Sequence, residues 1–377
     1  MAKVNVFPEV FGQEPVKKAL HQAFDRNRMP HALLFHGPKG TGKFSTALAL
    51  SKLVLCEKKT GCGVCSDCKM VNSLSHPDLS ITIPLPSLGE PPDRKKEEAR
   101  LAAFNGFLEA KKENLYHPVW KENKDLITVA DLQTLQNRLS RKPLQADWRA
   151  AILVDADRMQ LPQAGNKLLK TLEEPHPNTL IILIAERPRN LLPTIVSRTQ
   201  RFFFPHLPAT FLAEFAGKTF DLSKEEALQS ARLAAGSVAN LYFLRAAEEM
   251  EKRARAWEVL QLAVSGNDAL LFKSLKRVAE TRQKDEVLSF LSWLELLIWE
   301  FFCFSQLKEP QRVTSEDLKT GFEKLSRSSQ LPFPFLSALE EINKTRQDLE
   351  RNVSFRLALF WLFIRILKGA RPALGSY

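Results

Sequence analysis

Three short runs are apolar without alternation: Ala32 to Phe35, Ala150 to Val154 and Leu180 to Ala185. Runs of that length predict strands covered on both faces, as in a parallel sheet. Between them the apolar residues return at helical spacing: Val16, Leu20, Ala23 and Phe24 within Phe11–Arg26, then Thr46 to Leu55. Leu132, Leu135 and Leu139 mark a further helix, and Leu168, Leu169 and Leu172 another within Gln163–Pro175. Helices alternating with such strands imply an α/β fold built on a doubly wound parallel sheet. Further along, Val287–Phe304 and Val353–Leu367 are apolar on nearly every side and need partners all round. Glu295, Glu300, Arg356 and Arg365 fall inside these stretches, and each acidic residue costs about 2.5 kcal/mol or more near a bilayer centre. The expectation is therefore buried helices and no membrane contact.

Composition changes this picture in two ways. At 377 residues the chain exceeds the size at which one core stops growing, so two or three domains are expected. Lys and Arg outnumber Asp and Glu by 54 to 43, spread along the chain, a balance that fits nucleic acid, acidic partner proteins or simply a basic soluble protein. Met1 to Val16 lacks an apolar run behind a basic start, which predicts a cytoplasmic location. Pro84 to Asp125 is irregular, with PLPSLGEPPD, a charged helical stretch from Arg94 to Lys112, and LYHPVWKENKD. It reads as an insertion on the surface, with RKKEEAR facing solvent.

Chemistry concentrates in HALLFHGPKGTGKFS, His31 to Ser45. A strand runs into glycines whose N–H groups can point at phosphate oxygens, and a helix begins at the positive end of its dipole. Gly37, Gly40, Gly42 and Lys43 are the nucleotide-binding candidates. The full pattern places Ser or Thr directly after the lysine, as a magnesium ligand; here Phe44 stands there and Ser45 comes one residue late. ATP or ADP held without hydrolysis and a phosphate space filled by Phe44 both remain open. After the second strand, alignment on ADRM puts Val154 at the magnesium position and Asp155 at the general-base position. Asp155 alone reads better as a cap than as a base.

Cys56, Cys62, Cys65 and Cys68 form C-x5-C-x2-C-x2-C, with Gly61, Gly63 and Asp67 supplying turns. Four thiolates so close, with no export signal, point to tetrahedral zinc and not to disulfides. A closed four-sulfur site leaves no open position, so the metal is structural. Cys303, alone in an apolar helix, is expected in a core.

GPKGTGK, the cysteine insert, HPD at His76–Asp78, NKLLKTLEEP at Asn166–Pro175 and PTIVSR at Pro193–Arg198 occur in one order. That set, over about Phe11 to Asn240, resembles the bacterial clamp-loader ATPases of DNA polymerase III, which open the sliding clamp and place it on primed DNA. The resemblance implies an AAA+ P-loop domain at 1–205 with the zinc module at 56–68 and the insertion at 84–125. It further implies a helical lid at 206–247, built from SKEEALQSARLAAGS around Gly236, and an all-α collar at 248–377. A motor member would carry GK[ST], an Asp-Glu pair and Gly-Ser-x-Arg. Phe44, Val154 with Asp155, and Ala239 replace them, and the first sensor near Ala185 or Glu186 has no hydroxyl. These losses point to the non-motor member, partnered by gamma/tau and delta in a five-subunit ring. In the family's Ser-Arg-Cys motif the arginine reaches a neighbour's ATP, which implies that role in trans for Arg198; Thr199 replaces the Cys. The alternative is an active motor in which Ser45 and Asp155 substitute for the missing ligands.

Overall fold

The computed structural model describes residues 7, 10–26, 28–86, 94–116, 125–245, 247–280, 284–328, 333–350 and 353–370. Part of the opening stretch read for a leader, and 87–93 and 117–124 of the insertion, lie outside the described residues. The chain divides into two compact units, residues 1–220 with 234–242, and residues 221–233 with 243–377.

The first unit carries α1 (Glu14–Asp25), β1 (Ala32–His36), α2 (Lys43–Leu55), α3 (Ser66–Asn72), β2 (Leu79–Thr82) and α4 (Arg94–Glu113). It continues with α5 (Val129–Leu139), β3 (Arg149–Leu153), α6 (Gln163–Glu173), β4 (Thr179–Ala185), α7 (Pro193–Ser197), β5 (Gln200–Phe203) and α8 (Ala209–Phe220). The strands lie in the order β2-β3-β4-β1-β5, and every pairing is parallel. The three apolar runs are the central strands, each buried from end to end but for His36. Successive side chains of a strand point to opposite faces, and the core divides accordingly. Leu33, Phe35, Ile152, Leu180 and Ile182 join α2 on one face, while Leu34, Ala151, Leu153, Ile181 and Leu183 join α5 and α6 on the other. Helices on both faces of a parallel sheet make the fold doubly wound.

The passage at 84–125 departs from the surface reading. The first turns of α4 are exposed, and Arg94 pairs with Glu98 in solvent. Farther along, Phe107 and Lys111 are buried, and Phe104, Leu108 and Leu115 pack on the α2 side of the core. Phe107 has too much apolar surface to leave in water, which fixes the roll of this otherwise charged helix.

The second unit contains α9 (Lys224–Leu233), α11 (Ala247–Ser265), α12 (Asp268–Ala279), α13 (Lys284–Ser305), α14 (Lys319–Ser328), α15 (Phe335–Glu350) and α16 (Phe355–Ala370); α10 (Val238–Arg245) starts in the first unit. Its centre is α13, a helix apolar and long enough to cross a membrane by composition. Val287, Phe290, Leu294, Leu297, Phe301 and Cys303 on it are buried. Glu300 is buried too and accepts the N–H groups of Thr314 and Ser315 at 2.8 and 3.1 Å. Glu249 accepts from the Trp293 indole at 3.1 Å, and Arg253 forks onto Asp317 at 2.8 and 2.8 Å. A carboxylate in such a core stays only because donors meet it.

Candidate functional site

The glycine-rich loop joins β1 to α2 at the carboxyl ends of the strands, where open α/β sheets place their ligands. Gly37, Gly40 and Gly42 all have positive φ, 135°, 71° and 94°. A Cβ on Gly37 would lie 2.3 Å from the Phe204 carbonyl oxygen, and one on Gly40 would lie 2.0 Å from Ser237 Oγ. The loop is thus wedged between β5 and the Gly236–Ala239 turn, with the Val238 N–H donating to the Gly40 carbonyl at 2.9 Å. From the other side, the Gln13 side-chain amide donates to Thr41 O at 3.1 Å and Pro205 O at 2.9 Å.

Lys43 opens α2 and is 7% exposed. Its ammonium donates to the carbonyl of Gly37 at 2.7 Å and to that of Pro38, so the lysine caps its own loop. Burial pushes its pKa down to about 8, opposed by Asp155, then Glu186 and Asp157. These carboxylates follow β3 and β4, so the strand ends bring them toward the loop. Asp155 adopts a left-handed backbone, φ 49°, that heads the short turn Ala156–Arg158 and makes no side-chain cap. Val154 packs instead in the core on the α2 side. Burial pushes the Asp157 carboxyl up, although it accepts the Arg187 N–H at 2.9 Å. Phe44 is buried with its ring edge-on to Phe107, centroids 5.6 Å apart. Ser45 is buried, and its hydroxyl has no hydrogen-bond partner. Ala239 is buried against Gly40. Glu186 stands 3.8 Å from Lys39.

Arg198 lies at the other end of the sheet. β5 runs parallel to β1 with Gln200 beside Leu33 and Phe203 beside His36, so residue 198 precedes the amino ends of both strands. It caps α7, its side chain 38% exposed, with the guanidinium 2.7 Å from Glu173 and donating to Thr194 O at 3.1 Å. Thr199 is buried and donates to Val196 O at 3.1 Å. Lys43, Asp155 and the glycines therefore share one neighbourhood, and Arg198 does not belong to it.

Behind α2, the sulfur atoms of Cys56, Cys62, Cys65 and Cys68 all lie within 4.8 Å of one another, with contacts of 3.8, 3.8 and 3.9 Å. A tetrahedron with metal–sulfur bonds of about 2.3 Å has edges of about 3.8 Å, so this donor set fits a four-coordinate metal. Burial would push the Cys56 thiol up, but the N–H groups of Cys62, Thr60 and Lys58 bring it down to about 6. Burial pushes the Cys68 thiol up, and its contacts with the Cys65 and Cys56 sulfur atoms push the same way.

The HPD motif fastens this knuckle to the sheet. Asp78 accepts the N–H groups of Leu144, Gln145 and Ala146 at 2.7, 2.8 and 2.9 Å, and its own N–H donates to His76 Nδ1 at 3.0 Å. Gln145 donates to Asp67 at 2.6 Å, and His76 Nε2 stands 3.5 Å from the same carboxylate.

Residues 12–208 match the family described as DNA polymerase III, delta subunit. The chain belongs to that family. It is 34% identical to the delta-prime subunit of Bacillus subtilis over 197 residues, 52% of this chain and 48% of that protein. It is 26% identical to the delta-prime subunit of Escherichia coli over 265 residues, 67% and 66% of the two chains. The gamma/tau subunit of Mycobacterium bovis is 30% identical over 54% of this chain and 29% of its own length. The chain thus spans about half the length of the first of these relatives and under a third of the last. Among solved structures, the gamma subunit-related protein of Thermotoga maritima covers 93% of this chain and 99% of its own at 16% identity and a TM-score of 0.38.

The delta-family match ends at residue 208, so the family is carried by the sheet, the loop and the knuckle. Two things escaped the sequence. The bracketing role of His76 and Asp78 is set by partners 66 to 68 residues away. The burial of Lys111 has no signal in a helix whose other lysines are solvated.

Proposed function

We propose that this member of the DNA polymerase III delta family is a delta-prime-like, non-motor subunit of a bacterial clamp loader. It joins gamma/tau and delta subunits in a five-subunit ring that places the sliding clamp on primed DNA in the cytoplasm. Its own hydrolytic centre is degenerate. In this reading 1–205 is an AAA+ type domain, 206–247 a helical lid and 248–377 a collar, with structural zinc on Cys56, Cys62, Cys65 and Cys68.

The observation that carries the reading is the separation of Arg198 from the loop of its own chain. The four residues of β5 span about 13 Å, and an arginine with a partly exposed side chain at the far end suits a neighbour's phosphates better than its own. A planar fork there would stabilise charge developing on a transferred phosphoryl group. In a reconstituted loader, Arg198→Ala is expected to silence the single ATPase site it serves, since such arginines contribute about 10³-fold or more, while assembly is retained. Unchanged DNA-stimulated ATPase in an assembled mutant ring would refute the proposal.

The motor reading draws on one feature, the charge of Asp155 acting on Lys43. Magnesium-dependent turnover by the isolated chain, lost in Lys43→Ala, would favour it over the non-motor role.

A further inference from the structure

The segment from Phe107 to Tyr116 packs where the phosphate loop ends and α2 begins. Phe107 and Lys111, one helical turn apart on α4, are 2% and 9% exposed. The Lys111 ammonium stands 5.2 Å from the centre of the Phe44 ring and 5.9 Å from that of Phe107, and donates to the Leu115 carbonyl at 3.1 Å. Just beyond the helix, the Tyr116 hydroxyl accepts the Phe11 N–H at 2.8 Å and lies 3.5 Å from where a Cβ on Gly42 would stand. The segment therefore packs against Gly42 and Phe44 at the head of α2, the end at which a helix's unbonded N–H groups can meet an anion. Ser237 to Ala239 cover Gly40 from another direction, and Lys43 is turned inward onto the Gly37 and Pro38 carbonyls.

A lysine on a charged surface helix ordinarily carries its ammonium to water. Lys111 does not. Burial pushes its pKa down to about 8, and the charge acting against that cost is Asp155, the same carboxylate that acts on Lys43. Burying an ammonium is repaid only by specific partners, here two aromatic faces, a carbonyl and a carboxylate. That arrangement has no use in a solvated appendage.

We propose that residues 107–116 are a latch built into the insertion, which occupies the mouth of the phosphate loop and keeps it shut against nucleotide. A nucleotide would have to lift Phe107 and Lys111 off Phe44 and draw Lys43 away from its two carbonyls before any phosphate contact formed. The latch concerns this chain's own loop and stands whether or not Arg198 serves a neighbour.

The test is titration of the full chain with fluorescently labelled ADP and magnesium. The wild type is expected to bind more weakly than about 1 mM. The Phe107→Ala/Lys111→Ala variant is expected to bind at least about tenfold more tightly, a change of about 1.4 kcal/mol, and the gain should vanish when Lys43→Ala is added. Tight binding by the wild type, or no gain in the variant, overturns the latch. Lys111→Met, which keeps the apolar cover and removes the charge, provides a milder variant expected to show part of the gain. Should both variants misfold, hydrogen exchange of the wild type decides. Amides 40–46 and 107–113 are expected to open together with matched protection, and a loop that exchanges far faster than α4 refutes the proposal.

Discussion

The cysteine knuckle and the phosphate loop are both shaped for a ligand, yet the chain treats them in opposite ways. The knuckle holds four sulfur atoms at metal-ligand spacing and lowers the Cys56 thiol with backbone N–H groups. The loop residues are engaged by their own protein: Lys43 on two carbonyls, Phe107 and Lys111 on Phe44, Ser237 against Gly40. Clustered thiols have no apolar substitute for a metal, so the knuckle keeps its need. Glycines and a lysine can be satisfied by ordinary packing and carbonyl groups, so the loop can close without one.

Metal removal should separate the two most widely. A chelator is expected to lower Tm by more than about 5 °C and to open residues 56–78 to hydrogen exchange, because structural metal binding is folding free energy. Millimolar ADP with magnesium should shift Tm by less than about 1 °C, since a ligand stabilises only in proportion to its binding. Equal responses to both would erase the contrast.

Next in size, Phe107→Ala should cost about 3–5 kcal/mol in urea unfolding, the usual range for a buried phenylalanine. Val64, 67% exposed on the knuckle, should cost under about 0.5 kcal/mol when changed to Ala. Asp78→Asn follows at about 2 kcal/mol, because hydrogen bonds to a charged group contribute about 1.5–3 kcal/mol. It should loosen 144–146 while leaving exchange in the loop unchanged.

The last contrast is a pH dependence. Lys43 and Lys111 each sit near 8 in the folded chain against the usual 10.5. Between about 8 and 10.5 the unfolded chain holds more protons, so the contribution of these lysines to stability rises with pH through that window and is flat below it. Lys111→Met should flatten part of the rise in unfolding free energy between pH 8 and 10, and an unchanged slope would show that Lys111 is not buried as a charge.

Much of this was legible in residue order alone. The three central strands and the cysteine set needed only local patterns, since each is buried or clustered within a few residues of itself. β2 and β5 are less plain, because they stand at the sheet edges and β5 buries Phe202 alone of its four residues. α4 was legible as a helix and misread in its setting. Its mixed charges describe the exposed first turns, whereas Phe107 and Lys111 find Phe44 more than sixty positions earlier in the chain, a contact with no local signature. The loop glycines and Lys43 were visible as a motif, but their engagement by the chain itself was not.

The crowding at Gly37 and Gly40 bears on how such signatures are read. A side chain at either position would strike Phe204 or Ser237, neighbours that belong to the fold and not to any phosphate. Selection against that collision would preserve the glycines long after an ancestral cargo had been given up. A motif scan therefore detects a mould, and whether anything is still cast in it has to be asked of the residues pressed against it.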